Sequence, residues 1–197
     1  MADEPAMATV IHIHEDDWGM RRLYPISAAV EVADEVRAAQ AASDANRAPD
    51  GSGWTQLHVI QAPTHDYTES GLSFARVDAV LAPILPRVRR FAATAMAGFG
   101  DGAHDPFGTY EDDAYCYGAD ATCFIKLDGD DPLVRQIWFQ AETQDAGRLR
   151  ALRDAIVALD QLVPSVIADY WLDRTGTVGD DAFLDDYMRL LGGAGED

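Results

Sequence analysis

The stretch ATCFIKL-DGDDP-LVRQIWFQ, residues 121 to 140, limits the possible folds more than any other part of the chain. Two runs rich in β-branched and aromatic residues, 121–127 and 133–140, flank Asp128-Gly129-Asp130-Asp131-Pro132. Glycine supplies the positive φ that tight turns demand, and the flanking runs suit a pleated surface, so the segment predicts a β-hairpin. A hairpin commits the chain to antiparallel pairing. Helical and strand patterns alternate around it, and the combination predicts an α+β fold. That fold is a mixed, largely antiparallel sheet with helices packed on one or both faces. A chain of 197 residues, 48% of them hydrophobic, is large enough to bury a core as one domain over 1–197, with 1–7 and 192–197 expected as flexible tails.

The other elements follow from period and punctuation. Residues 8–14 alternate as a strand does. Pro25 and Ser27 precede an Ala/Val/Glu-rich helix to about Ala42, and 43–53 has loop chemistry. WTQLHVIQA from Trp54 reads as a second strand. Helical spacing predicts a helix over 73–85 that stops near Pro86, since an interior proline loses a hydrogen bond and clashes with the preceding turn. RVRRFAATAMAGF after it reads as a strand, with an Ala-rich helix as the alternative. Leu149, Leu152, Ile156, Leu159 and Leu162 line one face of a helix over 145–162. Residues 165–173 predict a strand, Thr175-Gly176 a turn, and 180–191 a helix capped by Asp180 and stopped by Gly192 and Gly193.

The net charge of −19 is the dominant global property: 34 acids face 15 bases, and Lys126 is the single lysine. Such a surface repels nucleic-acid phosphates and anionic lipid and attracts basic proteins or metal ions. The charge is uneven. Residues 101–131 hold nine acids against Lys126, while Arg87, Arg89 and Arg90 predict one positive patch and Arg148, Arg150 and Arg153 another. The start of the chain lacks the basic and apolar pattern of a signal peptide, and no apolar run approaches the about 18 residues that span a bilayer. Cys116 and Cys123 are expected as free thiols. The expectation is a soluble, cytoplasmic protein with no nucleic-acid or membrane partner.

Two site readings compete. His12 and His14 share one side of a strand. With Glu15, Asp16 or Asp17 they could hold a divalent metal that activates water, as in a metal-dependent hydrolase. The remaining histidines, His58, His65 and His104, add no recognisable ligand spacing. The other reading rests on acids set beside aromatics: Asp16-Asp17-Trp18, Tyr110-Glu111-Asp112-Asp113, and Tyr115 with Tyr117. Carboxylates pair bidentately with arginine, and aromatic faces accept its guanidinium plane. Residues 98–120, with five glycines and three tyrosines, predict a long functional loop or a hairpin tip. No nucleophile motif, phosphate loop or complete calcium loop is present.

The function expected from sequence is therefore a non-enzymatic acidic protein, without cofactor, that docks an acidic-aromatic face on a cationic partner protein. By class alone this is like immunity or inhibitor proteins that neutralise a basic enzyme. The alternatives are the His12/His14 metal hydrolase, with one divalent metal as cofactor, and a structural subunit with no ligand.

Overall fold

The structure, a computed structural model, describes residues 10–94 and 110–193. The expected tail at 1–7, residues 194–197 of the expected tail at 192–197, and the part of the predicted loop that falls in 95–109 lie outside the described residues.

The described residues form an α+β fold on one eight-stranded mixed sheet in the order β1-β3-β4-β5-β6-β2-β7-β8. The strands are β1 (Val10–His14), β2 (Arg21–Pro25), β3 (Arg87–Thr94), β4 (Glu111–Asp120), β5 (Cys123–Asp130), β6 (Leu133–Ala141), β7 (Ser165–Asp169) and β8 (Arg174–Thr177). The helices are α1 (Ala29–Asn46), α2 (Phe74–Leu81), α3 (Ala146–Leu162) and α4 (Asp181–Leu191). Only β1 and β3 pair in parallel; every other neighbouring pair is antiparallel. None of these helices is long and apolar enough to cross a membrane.

The predicted hairpin is β5–β6, paired from Cys123↔Ala141 to Asp130↔Leu133. Its turn is tighter than the sequence suggests, since Asp128, Gly129 and Asp130 belong to β5. The sheet then receives two layers. Amphipathic α2, α3 and α4 cover one face, where Leu152, Ile156, Leu159 and Leu184 meet Leu23, Ile125, Ile137, Phe139 and Ile167. On the opposite face α1 sets Val32 and Val36 against Tyr24, Val166 and Ala168. Side-chain caps start the helices as expected: Asp145 Oδ1 accepts from Gly147 N and Arg148 N, and Asp180 Oδ1 from Ala182 N and Phe183 N.

The connection from β1 to β2 forces the sheet to curl. These strands run in the same direction, five places apart, which in a flat sheet is about 24 Å. They are joined by Glu15–Met20 alone, half of it wound into a 3-10 turn at Glu15–Asp17. A parallel crossover ordinarily takes a dozen residues or more. Six suffice because β1 bends back over the sheet, so that Ile11 and Ile13 share a core with Val88, Phe91, Cys116, Phe124 and Trp138 of β3 to β6. The connector crosses this concave face, and its Trp18 packs on Trp138 at 6.5 Å between ring centroids. Gly19, at φ +68°, takes the left-handed backbone there, and Arg22 Nε donates to its carbonyl at 2.6 Å.

Several elements differ from the sequence reading. β2 is a strand that the sequence left as the approach to α1, and Pro25 closes it. The segment from Trp54 is extended without being a strand: Trp54 bridges Arg47, and beyond it the polar groups go to α1 side chains. Glu35 accepts from His58 Nε2 and Gln61 N, both at 2.8 Å, and Glu31 accepts from Thr64 N at 2.7 Å. α2 ends at Leu81, because Pro83 has no N–H to continue it. Thr175-Gly176 lies within β8, and the turn falls earlier, between Asp169 and Arg174. The residues from Glu111 that looked like a loop are the start of β4.

Asp169 makes that earlier turn and anchors α4. Its Oδ1 accepts from Trp171 N and Leu172 N, and its Oδ2 from Arg21 Nε and the Tyr187 hydroxyl, all at 2.9 Å. The carboxylate is fully buried and Arg21 nearly so. Burial, with the Asp169 charge beside it, pushes the Tyr187 hydroxyl well above the ordinary range. Removing one partner of a buried pair strands the other's charge. Asp169→Asn is expected to lower stability by about 3 kcal/mol, seen as a fall in the urea midpoint at unchanged slope. A loss under about 1 kcal/mol would show that the four bonds do not act as this tie.

Candidate functional site

Along β5, Cys123, Ile125 and Leu127 face the helices, so Phe124, Lys126 and Asp128 face the concave side. Lys126 is 1% exposed. Its ammonium contacts Asp128 Oδ1 at 2.6 Å, Glu111 Oε2 at 2.9 Å and the Leu127 carbonyl at 3.0 Å, and lies 5.4 Å above the centre of the Phe91 ring. All three N–H donors are therefore engaged. Asp128 is shared, because its Oδ2 accepts from Trp138 Nε1 at 2.7 Å. Aromatic and ionic groups of four strands meet at this one ammonium.

A bulge brings Glu111 there. Ala114 and Cys116 face the concave core, and strict alternation would turn Glu111 the other way. The β3–β4 register shifts between Val88 and Arg90, and Asp113 takes a positive φ of 59°. β4 advances four residues, Cys116 to Asp112, where β3 advances two, Val88 to Arg90, and this irregularity leaves Glu111 opposite Phe91. Aspartate is among the side chains that tolerate this region.

Two adjoining open concavities lie over the ion cluster, of about 650 and 270 Å³. Trp18, Glu111 and Asp128 line both. Asp113, Tyr115 and Asp131 extend the larger one, and Tyr110 and Phe91 the smaller. Trp18 is 54% exposed, so its indole presents one face to Trp138 and much of the rest to solvent.

Trp18, far away in sequence, thus shares one cleft with Tyr110, Glu111, Asp113 and Tyr115. Asp16 and Asp17 sit beside Trp18 on the connector. Asp112 and Asp113 are exposed and paired with Arg90 and Arg89, each at 3.0 Å. Tyr110 and Tyr115 carry guanidinium groups: Arg90 lies 4.6 Å and Arg87 3.9 Å from the respective ring centres. The expected positive patch of Arg87, Arg89 and Arg90 is therefore laid against acids rather than presented alone. Tyr117 is a correction. Its ring is fully buried under α2, its hydroxyl donates to Asp78 Oδ1 at 2.7 Å, and it has no surface to offer a partner.

Among the described residues His12 and His14 do not join the acids in a metal site, although Asp16 Oδ2 lies 3.5 Å from His14 Nδ1. His12 Nε2 is 2.7 Å from Thr94 Oγ1, and His14 Nδ1 accepts from Asp16 N at 3.2 Å and so caps the 3-10 turn. Glu15, Asp16 and Asp17 project from that turn, and among the described residues no three His, Cys, Asp or Glu side chains come together as a metal site.

Sequence reasoning missed Asp128, Asp131, Lys126 and Trp138. A signal was available: Phe124, Lys126 and Asp128 alternate with Cys123, Ile125 and Leu127, so a strand with one apolar face aims the lone lysine to the other. What spacing cannot show is that Trp18 arrives above it.

The thiols take no part. Burial pushes Cys116 up to about 12 and Cys123 up to about 11, and no disulfide links them. Comparison with known protein families, with curated proteins and with solved structures finds no match.

Two outcomes follow from this packing. Iodoacetamide at mildly alkaline pH should leave the folded chain unlabelled and add two adducts after denaturation, as counted by mass; rapid native labelling of either thiol would contradict its burial. Lys126→Met would leave Glu111 and Asp128 facing each other without a cation, at a cost of about 3 kcal/mol in denaturant unfolding. Lys126→Met as stable as the parent would show that the ion cluster contributes nothing net.

Proposed function

We propose that this chain is an acidic binding protein, without catalytic chemistry of its own, whose Trp18 cleft docks a basic partner protein. The observation that carries the reading is the company Trp18 keeps. A largely exposed indole stands over two concavities whose charged lining residues, Glu111, Asp113, Asp128 and Asp131, are all acidic.

That chemistry suits an arginine or lysine side chain. A guanidinium can stack on the indole while its edge bonds a carboxylate. Lys126 lies beneath the lining and is engaged by Glu111 and Asp128, so it takes part of their charge. Asp131 has no ion pair among the described residues, and Asp113 holds only the exposed Arg89, a contact that an incoming cation exchanges at little loss. Aromatic residues such as tryptophan contribute disproportionately to protein interfaces. The net charge of −19 adds long-range attraction, which speeds encounter and weakens with salt. Inhibitors of basic enzymes are the class of protein this combination is like, by analogy of surface alone.

A fluorescent nona-arginine peptide serves as a defined cationic probe. Trp18→Ala and the pair Asp113→Asn/Asp131→Asn should each weaken its binding by about thirtyfold, equivalent to about 2 kcal/mol. Glu142→Gln/Asp154→Asn removes the same charge from exposed sites elsewhere and should change it less than about twofold, since isolated exposed charges contribute little. Equal losses from the two double variants, or none from Trp18→Ala, would reduce the binding to general charge attraction and refute a docking cleft.

A further inference from the structure

A third concavity, of about 340 Å³, lies away from the Trp18 cleft, between the last turns of α1, the extended segment after Trp54 and the β7–β8 turn. Trp54 and Trp171 line it and are 53% and 47% exposed. Their exposure is not loose placement in the case of Trp54: its indole N–H donates to Ser43 Oγ on α1 at 2.8 Å, which fixes the ring plane. Tyr170 and Ile60 add apolar wall between them. The volume is at the small end of ligand pockets, enough for a body of one aromatic ring with a short tail.

The polar end is Asp173. It stands in the β7–β8 turn at a φ of 50°, in the left-handed region, where a side chain other than glycine is uncommon. A backbone outlier of this kind marks positions whose side chain is aimed by the surrounding structure. Among the described residues the Asp173 carboxyl has no hydrogen-bond or ion-pair partner. Desolvation, then the nearby Asp44 and Asp169 charges, hold it above the ordinary carboxylate range. Arg21 offsets the Asp169 charge, while Asp44 has no hydrogen-bond or ion-pair partner among the described residues, so the uncompensated negative neighbour of Asp173 is Asp44. Arg47 lines the same cavity, and among the described residues no ion pair joins it to Asp173 or to another carboxylate.

We propose that this concavity is a binding site for a small organic ammonium with an aromatic body, the ring held between Trp54 and Trp171 and the cation against Asp173. A cation there relieves the Asp44–Asp173 repulsion, and the indoles favour both the ring and the adjacent positive charge. The partners differ from those of the Trp18 cleft, so the site stands or falls independently of the docking reading.

The test is calorimetric titration of the full chain with 2-phenylethylammonium, beside 2-phenylethanol and 3-phenylpropionate as neutral and anionic forms of the same shape. The ammonium should bind saturably, with a Kd on the order of 1 mM or tighter for so few atoms. The alcohol and the acid should bind at least about tenfold more weakly. Asp173→Asn, which keeps a residue tolerant of the left-handed backbone, should remove the preference for the ammonium over the alcohol, and Trp171→Ala should weaken all three ligands. Glu142→Gln should change nothing, which separates the site from the general acidity of the chain. The proposal is overturned by absence of saturable ammonium binding, by equal binding of the alcohol, by tighter binding of the acid (which would assign the site to Arg47), or by an unchanged preference in Asp173→Asn.

Discussion

One ammonium group holds the concave side of this sheet together. Lys126 on β5 reaches Glu111 on β4 and Asp128 on its own strand, Asp128 holds Trp138 on β6, and Phe91 of β3 lies beneath the cation. Desolvating the lysine is expensive, and well-packed apolar residues in place of a buried ion pair often serve stability equally. What the ionic arrangement supplies in addition is position. It turns carboxylates toward a surface that would otherwise be a plain apolar floor. The fold and the candidate cleft thus rest on the same contacts.

The parts of this fold that were legible in the sequence are those whose signals are local. The β5–β6 hairpin, α3 with its leucine stripe and α4 with its Asp180 cap carry their evidence within about twenty residues, and each is where the pattern puts it. The failures share a different origin. Trp54, Leu57 and Val59 have strand character, yet no strand among the described residues pairs with them in a ladder, and Glu31 and Glu35 of α1 take the segment's polar groups instead. β2 is only Arg21–Pro25 and is called into the sheet by β7 and β6, more than a hundred residues away. Its role is tertiary, so local propensity is silent.

The cleft divides in the same way. That Trp18 and the acids from Glu111 belong to one kind of surface was readable from composition. That they belong to one place depends on the six-residue connector crossing a curled sheet, a consequence of strand order. Tyr117 illustrates the converse error. It sits two residues from Tyr115, yet it is sealed under α2 and bonded to Asp78. A cluster of aromatics in sequence says nothing of how many of them the fold can leave at the surface.

The bulge at Asp113 has a further implication. Were β4 to run straight through Asp113 with every residue kept, ordinary alternation would set Asp112 on the same side as Ala114 and Cys116, and a carboxylate would still face Lys126. The run Glu111-Asp112-Asp113 is thus degenerate with respect to slippage: either phase of the strand can neutralise the lysine. What changes between phases is the reach of the acid and which arginine of β3 is left across from the remainder. Redundant coding of this kind lets the start of the strand change phase without leaving the buried lysine unpaired, and it gives the three-acid run a structural use independent of any partner.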